Sequence, residues 1–281
     1  MSIIKALSGL FGRGNPHRAF GDGVYLADHW SDGSASRSKV TALLERLKRL
    51  SVYQMNFDAG SMEPDGTLHF PRGAESFVWE TDAWSQAGRY PVKCVAWVRN
   101  LHHGRRVSLS SQGVARNLLY CLGFFRAFKG FMLDLQFDTL EEQNAFFEIL
   151  REVSTGFADK SVGVRAHFSW LDKPELVRQL LKQAQDVELP LQDSGQSRGT
   201  YSTWCAELTS RAMRAMGPEH LVLGVPALSK DGRPAESLES ALNGIRRGLK
   251  QGTSQRVRVN LYREGQASEE EWKVFAREWA H

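Results

Sequence analysis

Short segments rich in β-branched and aromatic residues alternate with segments of helical period along almost the whole chain. Such alternation indicates parallel strands joined by crossover helices. Eight units in a chain of 281 residues predict an α/β fold, a single-domain (β/α)8 TIM barrel. A doubly wound open sheet is the alternative, but no G-x-G-x-x-G turn follows the first predicted strand. The predicted strands cover residues 23–30, 51–57, 91–100, 130–137, 161–170, 186–193, 220–228 and 256–265.

Two of the predicted helices carry start signals. Thr139 stands three residues before Glu142, which is the spacing of a capping box. Pro174 stands in the first turn of the next predicted helix, where its missing N–H costs nothing.

The first residues, "MSIIKALSGLFGRG", place Ile3, Ile4, Leu7, Leu10 and Phe11 at helical spacing. They lack the continuous apolar core of a signal peptide. We expect residues 1–20 to form a docking segment that packs on the body or contacts a protein partner. The barrel itself is expected over residues 21–281.

Composition excludes several classes of protein. Apolar residues make up 42% and charged residues 24% of the chain, as in soluble globular proteins. The net charge of +4 is dispersed, which argues against a nucleic-acid partner. No apolar stretch approaches the roughly 20 residues of a membrane helix, so no integral membrane segment and a cytoplasmic location are expected. Cys94, Cys121 and Cys205 fit no metal-binding spacing, and no metal or cofactor is predicted.

Polar and aromatic residues concentrate where the predicted strands end. In a TIM barrel these C-terminal ends carry the working site. Aromatic faces beside carboxylates and amides suit sugars, which show an apolar C–H face and a hydroxyl edge. The candidate substrate-binding residues are Tyr25, Asp28, Trp97, Arg99, His167, Gln192, Tyr262 and Glu264, and the candidate catalytic residues are Asp134, Asp193, Asp58 and Gln136.

Asp134 is the first of these candidates because it lies inside a strand. Asp28 and Asp58 could equally be helix caps. Asp134 and Gln136 stand two residues apart, so their side chains should point to the same face.

The fourth predicted strand, "KGFMLDLQ" (129–136), resembles the D-G-x-D-x-D-x-E motif of the family-18 glycoside hydrolases, the chitinase and endo-N-acetylglucosaminidase group. Gly130 and Asp134 match the motif. Lys129 and Met132 replace its first two aspartates, and Gln136 replaces its glutamate. "ELPLQD" is similar to the sixth strand of the family with Gln192 in place of tyrosine before Asp193, and "HLVLGVPAL" is similar to the seventh.

This resemblance implies a sugar ligand and an altered site. In the family the glutamate gives a proton to the glycosidic oxygen while the aspartate steadies the acetamido group of the substrate. Gln136 has no such proton, and general acid catalysis contributes about 10²–10⁴-fold. The degenerate motif therefore implies that chitinase chemistry is impaired here.

The expected partner is a glycan or oligosaccharide, but three hypotheses about function stay open. The barrel is a hydrolase in which Asp58, Asp193 or Glu264 has joined Asp134 as the acid pair. Alternatively, it is an inactive pseudoenzyme that binds a polysaccharide, an amino-sugar glycan or a protein. A third possibility is an enzyme acting on a small phosphorylated metabolite, for which "SKDGRP" (229–234) is a faint match to a phosphate loop.

Overall fold

The computed structural model describes residues 22–26, 36–70, 76, 78–80, 82–83, 90, 92–227, 236–250, 257–262 and 267–279. Eight parallel strands close into a barrel in which each strand pairs with its neighbours in the chain and the first pairs with the last. The predicted TIM barrel is confirmed. The strands are β1 (Asp22–Tyr25), β2 (Val52–Asp58), β3 (Lys93–Arg99), β4 (Gly130–Asp134), β5 (Ser161–Arg165), β6 (Asp186–Pro190), β7 (Leu221–Pro226) and β8 (Arg258–Tyr262).

Crossover helices surround the barrel. Those given with bounds are α1 (Arg37–Arg49), α2 (Val114–Leu122), α3 (Leu140–Gly156), α4 (Pro174–Gln183), α5 (Tyr201–Met216), α6 (Leu238–Lys250) and α7 (Glu269–Glu278). Residues 76, 78–80 and 82–83, in the crossover from β2 to β3, are also helical. A short 3-10 helix, Phe168–Asp172, follows β5. Within the described part of the chain, no helix has the length and apolarity needed to cross a membrane.

Both predicted helix-start signals are present. The Thr139 hydroxyl accepts a hydrogen bond from the Glu142 N–H at 3.2 Å, and Pro174 begins α4. The Glu142 carboxylate accepts from the N–H of Asp138, so the reciprocal half of the capping box is displaced by one residue.

Two separate apolar clusters stabilise the fold. The large one fills the layer between the outer strand faces and the helices. The small one lies inside the barrel and consists of Tyr25, Val95, Trp97 and Met132, with Tyr262 packed against it. Much of the remaining barrel interior is polar, because strand residues of alternating number point inward and several of them are charged or amidic.

All the barrel strands except β2 end earlier than predicted, and three of these differences bear on the site. β4, β5 and β6 end at Asp134, Arg165 and Pro190. Residues 136, 167 and 192 consequently lie in the loops that follow, where side-chain hydrogen bonds replace the strand ladder. Sequence alone overestimates these strands because the apolar pattern continues past the last ladder hydrogen bond.

Candidate functional site

Asp134 points into the mouth of the barrel, where it is held by three side chains. The Trp97 indole N–H donates to its Oδ2 at 3.3 Å, and the Gln136 amide donates to its Oδ1 at 2.7 Å. Arg165 Nη1 lies 3.1 Å from Oδ2. The predicted common orientation of Asp134 and Gln136 is confirmed by their direct hydrogen bond.

Arg165 lies at the centre of this arrangement. Its guanidinium pairs with Asp134 on one side and with Glu188 on the other, where Nε lies 3.2 Å from Oε1. The guanidinium carbon is 4.9 Å from the centroid of the Tyr262 ring and 5.6 Å from that of Trp97. Burial alone would lower the pKa of Arg165, but the surrounding negative charges, led by Asp134, raise it above its ordinary value. Arg165 is therefore a permanent cation in the barrel mouth.

Glu188 is the deepest carboxylate of the site and is fully buried. The Tyr25 hydroxyl donates to its Oε2 at 2.9 Å, and the Asn260 amide donates to the same oxygen. Burial raises the pKa of Glu188 above its ordinary value, although Arg165 and these donors act against the rise. We call Asp134, Arg165 and Glu188 the central triad.

The predicted sugar-stacking residues form an aromatic group beside the triad. The Tyr25 ring centroid lies 4.8 Å from that of Trp97 and 5.4 Å from that of Tyr262. Tyr25 is fully buried and Trp97 is 3% exposed, so neither presents a ring face to solvent. Tyr262 is only partly buried. These rings support the triad from within the barrel, and Tyr262 alone of the three reaches the surface.

Asp58 and Arg99 form an ion pair at the rim. The Arg99 guanidinium also lies 4.3 Å from the centroid of the Trp97 ring and covers it. Asp58 in addition accepts a hydrogen bond from the Gly60 N–H at 2.9 Å. The pair places both predicted residues at the mouth, next to the central triad.

The loop after β6 separates the two predicted residues Gln192 and Asp193. Asp193 is exposed and has a left-handed backbone (φ 56°), and its N–H donates to Glu236 Oε2 at 2.7 Å. The buried amide atoms of Gln192, by contrast, have no hydrogen-bond partner within the described structure. A methyl group at Gly224 would lie 2.9 Å from Glu188 Oε1 and 3.4 Å from Gln192 Oε1. Gln192 thus lies beside the triad. Asp193 makes none of the contacts by which the triad is defined.

Gln136 is fixed through its backbone. Its N–H donates to Asn100 Oδ1 at 2.8 Å, and its carbonyl accepts from Asn100 Nδ2 at 2.9 Å. Asn100 is fully buried. Gln136, which aligns with the acid of the family motif, is therefore held in place although it lies beyond the end of β4.

A groove of about 540 Å³ opens beside Gln136, between the loops that follow β4 and β5. We call it the β4–β5 groove. The predicted binding residue His167 lines it and caps the 3-10 helix, its Nδ1 accepting from the Ser169 N–H at 3.2 Å. The other lining residues are Phe137, Asp138, Thr139, Leu140, Gln143, Ser169, Trp170 and Lys173.

The structure adds Arg165, Glu188 and Asn260 to the predicted site. All three lie inside the predicted strands, whereas the predicted site residues were taken from the strand ends. Because alternate residues of a strand share one face, Arg165 lies on the same face as His167, and Glu188 on the same face as Gln192. Alternation is therefore the sequence signal that could have located Arg165 and Glu188. Asp28, Glu264, the predicted segment 1–20 and the stretch 229–234 lie outside the described residues.

The chemistry available at the mouth is that of paired charges and amides. Asp58, Asp134 and Glu188 each have a cationic or hydrogen-bonding partner. Within the described ranges, no group of three His, Cys, Asp or Glu side chains is arranged to hold a metal ion. The arrangement is suited to hydrogen bonding of a polar ligand.

No protein-family model matches the chain, and neither does any curated protein. Solved structures do match. The spore cortex-lytic enzyme SleL of Bacillus megaterium is 12% identical, with a TM-score of 0.63 over 94% of this chain and 75% of that one. A chitinase of Chromobacterium violaceum is 13% identical, with a TM-score of 0.61 over 92% and 99% of the two chains. The PgaB (BpsB) glycoside hydrolase domain of Bordetella bronchiseptica is 14% identical, with a TM-score of 0.60 over 91% and 98%. At these identities the comparison establishes a shared fold: the chain is a TIM barrel similar to those of chitinases and other glycoside hydrolases.

Proposed function

We propose that this protein binds a polysaccharide or an amino-sugar glycan at the mouth of its barrel and does not cleave it. The observation that carries the proposal is the pairing of Asp134 with Arg165, together with the amide of Gln136 at the acid position of the motif. The protein would then be a glycoside hydrolase-like binding protein, with its hydrogen-bonding groups retained and its acid lost.

The first component lacking among the described residues of the mouth is a proton donor. A general acid must hold a transferable proton within hydrogen-bond reach of the leaving oxygen. Gln136 holds none. Burial raises the pKa of Glu188, a described carboxyl group of the mouth, and so favours its protonated form. Glu188 is fully buried, however, and Tyr25 and Asn260 are hydrogen-bonded to it. Its proton is therefore held among buried partners and is not exposed to a glycosidic oxygen.

The second component lacking in the described part of the mouth is an unpaired negative charge. Cleavage of a glycosidic bond passes through an oxocarbenium-like transition state, which a nearby carboxylate stabilises. Arg165 Nη1 lies 3.1 Å from Asp134 Oδ2 and neutralises that carboxylate. A permanent cation at this position would instead raise the energy of a positively charged transition state.

Two features support a carbohydrate as the ligand. The solved structures that share the fold include chitinases and a glycoside hydrolase domain, whose ligands are carbohydrates. The mouth also offers amides and the partly buried ring of Tyr262, with the Gln192 amide buried and without a partner in the described structure. Buried polar atoms in this state favour a ligand or water that completes their hydrogen bonds.

Calorimetric titration with N-acetylglucosamine oligosaccharides and with bacterial exopolysaccharides would test the proposal, alongside release from chromogenic N-acetylglucosaminides. We expect saturable binding and no release. The variant Asp134→Asn should weaken binding because its amide cannot keep the ion pair with Arg165. If the wild type releases the chromophore and Asp134→Asn does not, the proposal is overturned in favour of a hydrolase with a rearranged acid pair.

The variant Gln136→Glu tests the role of Arg165. We expect it to remain inactive because Asp134 stays neutralised. Glycoside release by Gln136→Glu alone would show that the amide is the sole block to catalysis and that the pairing of Asp134 is no obstacle.

A further inference from the structure

The β4–β5 groove is a separate compartment next to the central triad. Its walls are the start of α3 on one side and the 3-10 helix after β5 on the other. Its volume of about 540 Å³ falls within the range of about 300–1,000 Å³ that is typical of ligand sites. Two of the predicted site residues, Gln136 and His167, line it.

The hydrogen bonds of His167 fix its tautomer. The backbone N–H of Ser169 donates to Nδ1 at 3.2 Å, and the Ser169 hydroxyl lies 2.7 Å from the same nitrogen. A backbone N–H can only donate, so Nδ1 must carry a lone pair. The neutral ring then has its proton on Nε2. Desolvation lowers the pKa of His167 below its ordinary value, which favours the neutral ring at pH 7.

Gln136 and Gln143 supply complementary groups. Gln136 donates from its amide nitrogen to Asp134, which leaves its amide oxygen as an acceptor. Gln143 lies on α3, and its side-chain amide makes no hydrogen bond within the described part of the chain. The groove therefore combines a ring N–H donor, an amide acceptor and a complete amide.

The groove also has an apolar wall. The Phe137 ring stacks on Trp170 with centroids 4.7 Å apart and an interplanar angle of 24°. Leu140 is 71% exposed although it lines the groove. Trp170 is itself buried, so Phe137 and Leu140 are the accessible part of this wall. A small apolar surface beside amides and a ring N–H suits a pyranose ring, which has one apolar C–H face and a rim of hydroxyls.

Charged groups near His167 are few and mostly paired. Lys173 and Asp138 line the groove with it, and Asp138 pairs with Arg106 at 2.8 Å. Arg165, two residues earlier on β5, is held by the central triad. None of these charges makes the groove strongly acidic or basic, which favours an uncharged ligand.

We infer that the β4–β5 groove binds uncharged pyranose rings of the glycan, with the neutral His167 donating from Nε2 and with Gln136 and Gln143 bonding the hydroxyls. The inference rests on the proposed function and extends it, because it places part of the glycan outside the barrel ring. It also makes binding dependent on pH: protonation of His167 keeps the Nε2–H but puts a proton on Nδ1, which breaks the bond from the Ser169 N–H and releases the ring from the orientation in which Nε2 meets the glycan. Affinity should therefore fall as the pH drops through the pKa of His167.

The experiment is calorimetric titration of the full chain with N-acetylglucosamine oligosaccharides of increasing length at pH 7.5 and at pH 5. His167→Asn keeps an acceptor for the Ser169 N–H and removes the Nε2 donor, so it tests donation without losing the cap. We expect His167→Asn and Gln143→Ala each to weaken binding about three- to tenfold at pH 7.5, as expected for one lost hydrogen bond. His220→Ala, at the opposite end of the barrel, is the matched control and should leave affinity unchanged.

Two further readouts make the result decisive. The loss of affinity at pH 5 should be present in the wild type and absent in His167→Asn, and ring-nitrogen NMR shifts should show the Nε2–H tautomer. Glycan binding that both groove variants leave intact would overturn the inference and keep the proposed function. An absence of any glycan binding would overturn both.

Discussion

At the scale of single residues, Arg165 decides what the mouth of this barrel can do. Its side chain is only 11% exposed, and it joins two carboxylates from different strands. A buried ion pair is costly to assemble because both partners lose their hydration. The same cation supports the rings of Tyr25, Trp97 and Tyr262, so removing it affects both charge and packing.

Arg165→Met should strongly destabilise the fold. It leaves Asp134 and Glu188 without their cation, and breaking a buried pair in this way costs about 3–5 kcal/mol. Urea denaturation measures the change. Arg151→Met is the control, since Arg151 is 57% exposed and pairs only at the surface, where a pair contributes about 0–1 kcal/mol. Equal losses of stability in the two variants would contradict the role given to Arg165.

Only part of the surroundings of Arg165 could be predicted from the sequence. Asp134 and Gln136 could be placed on one inward face because strands alternate, and the structure confirms it. The partner of Asp134 could not be named, because pairing across strands depends on the stagger of the barrel. Trp97 was identified as a mouth residue, but its burial under Arg99 depends on a rotamer that no spacing pattern encodes.

At the scale of elements, the loops after β3 and β4 are joined by one carboxylate. Glu142, near the start of α3, accepts from Arg106 at 2.7 Å, from the Ser108 hydroxyl at 2.7 Å and from the Asp138 N–H at 3.0 Å. Arg106 in turn donates to the carbonyl of Gln136 at 3.3 Å. The position of Gln136 is thus set by hydrogen bonds between loops. The start of α3 was predictable from Thr139, whereas these bonds between loops were not.

Glu142 should make stability depend on acid pH. Burial would raise its pKa, but the bonds from Asp138, Arg106 and Ser108 outweigh this and lower the pKa to about 2. Since the folded pKa lies below the unfolded value, the stabilisation is present above about pH 5 and is lost as pH falls towards 2. Glu142→Gln should remove about 2 kcal/mol at pH 7 and flatten that acid limb. Urea titrations at several pH values measure both, and an unchanged acid limb in the variant would contradict the assignment.

At the scale of the whole molecule, one seam closes the barrel. β1 has four residues and pairs with β8 through Gly23 with Asn260 and Val24 with Leu261. The side chain of Asp22 adds to the seam, since its Oδ1 accepts from the Val259 N–H at 2.8 Å. The number and order of the strands were predictable from alternation, but this side-chain bond across the seam was not.

Asp22→Ala should weaken the seam specifically. The Val259 N–H would lose its acceptor in a buried position, which costs about 1–3 kcal/mol. Hydrogen exchange is the measurement: protection of the Val259 amide should fall more than that of amides in β4 and β5. Asp22→Asn keeps an acceptor oxygen and should lie between the wild type and Asp22→Ala. Uniform loss of protection around the barrel would contradict a local role.

The position of the seam also has a consequence during synthesis. β1 ends at Tyr25 and β8 begins at Arg258, so the two strands leave the ribosome far apart in time. At about 5–20 residues per second, the nascent chain waits roughly 10–50 seconds for its last strand. Throughout that interval β1 has a free backbone edge that other strands can pair with. Translation speed and chaperone supply should therefore govern the yield of this barrel more strongly than its final stability does.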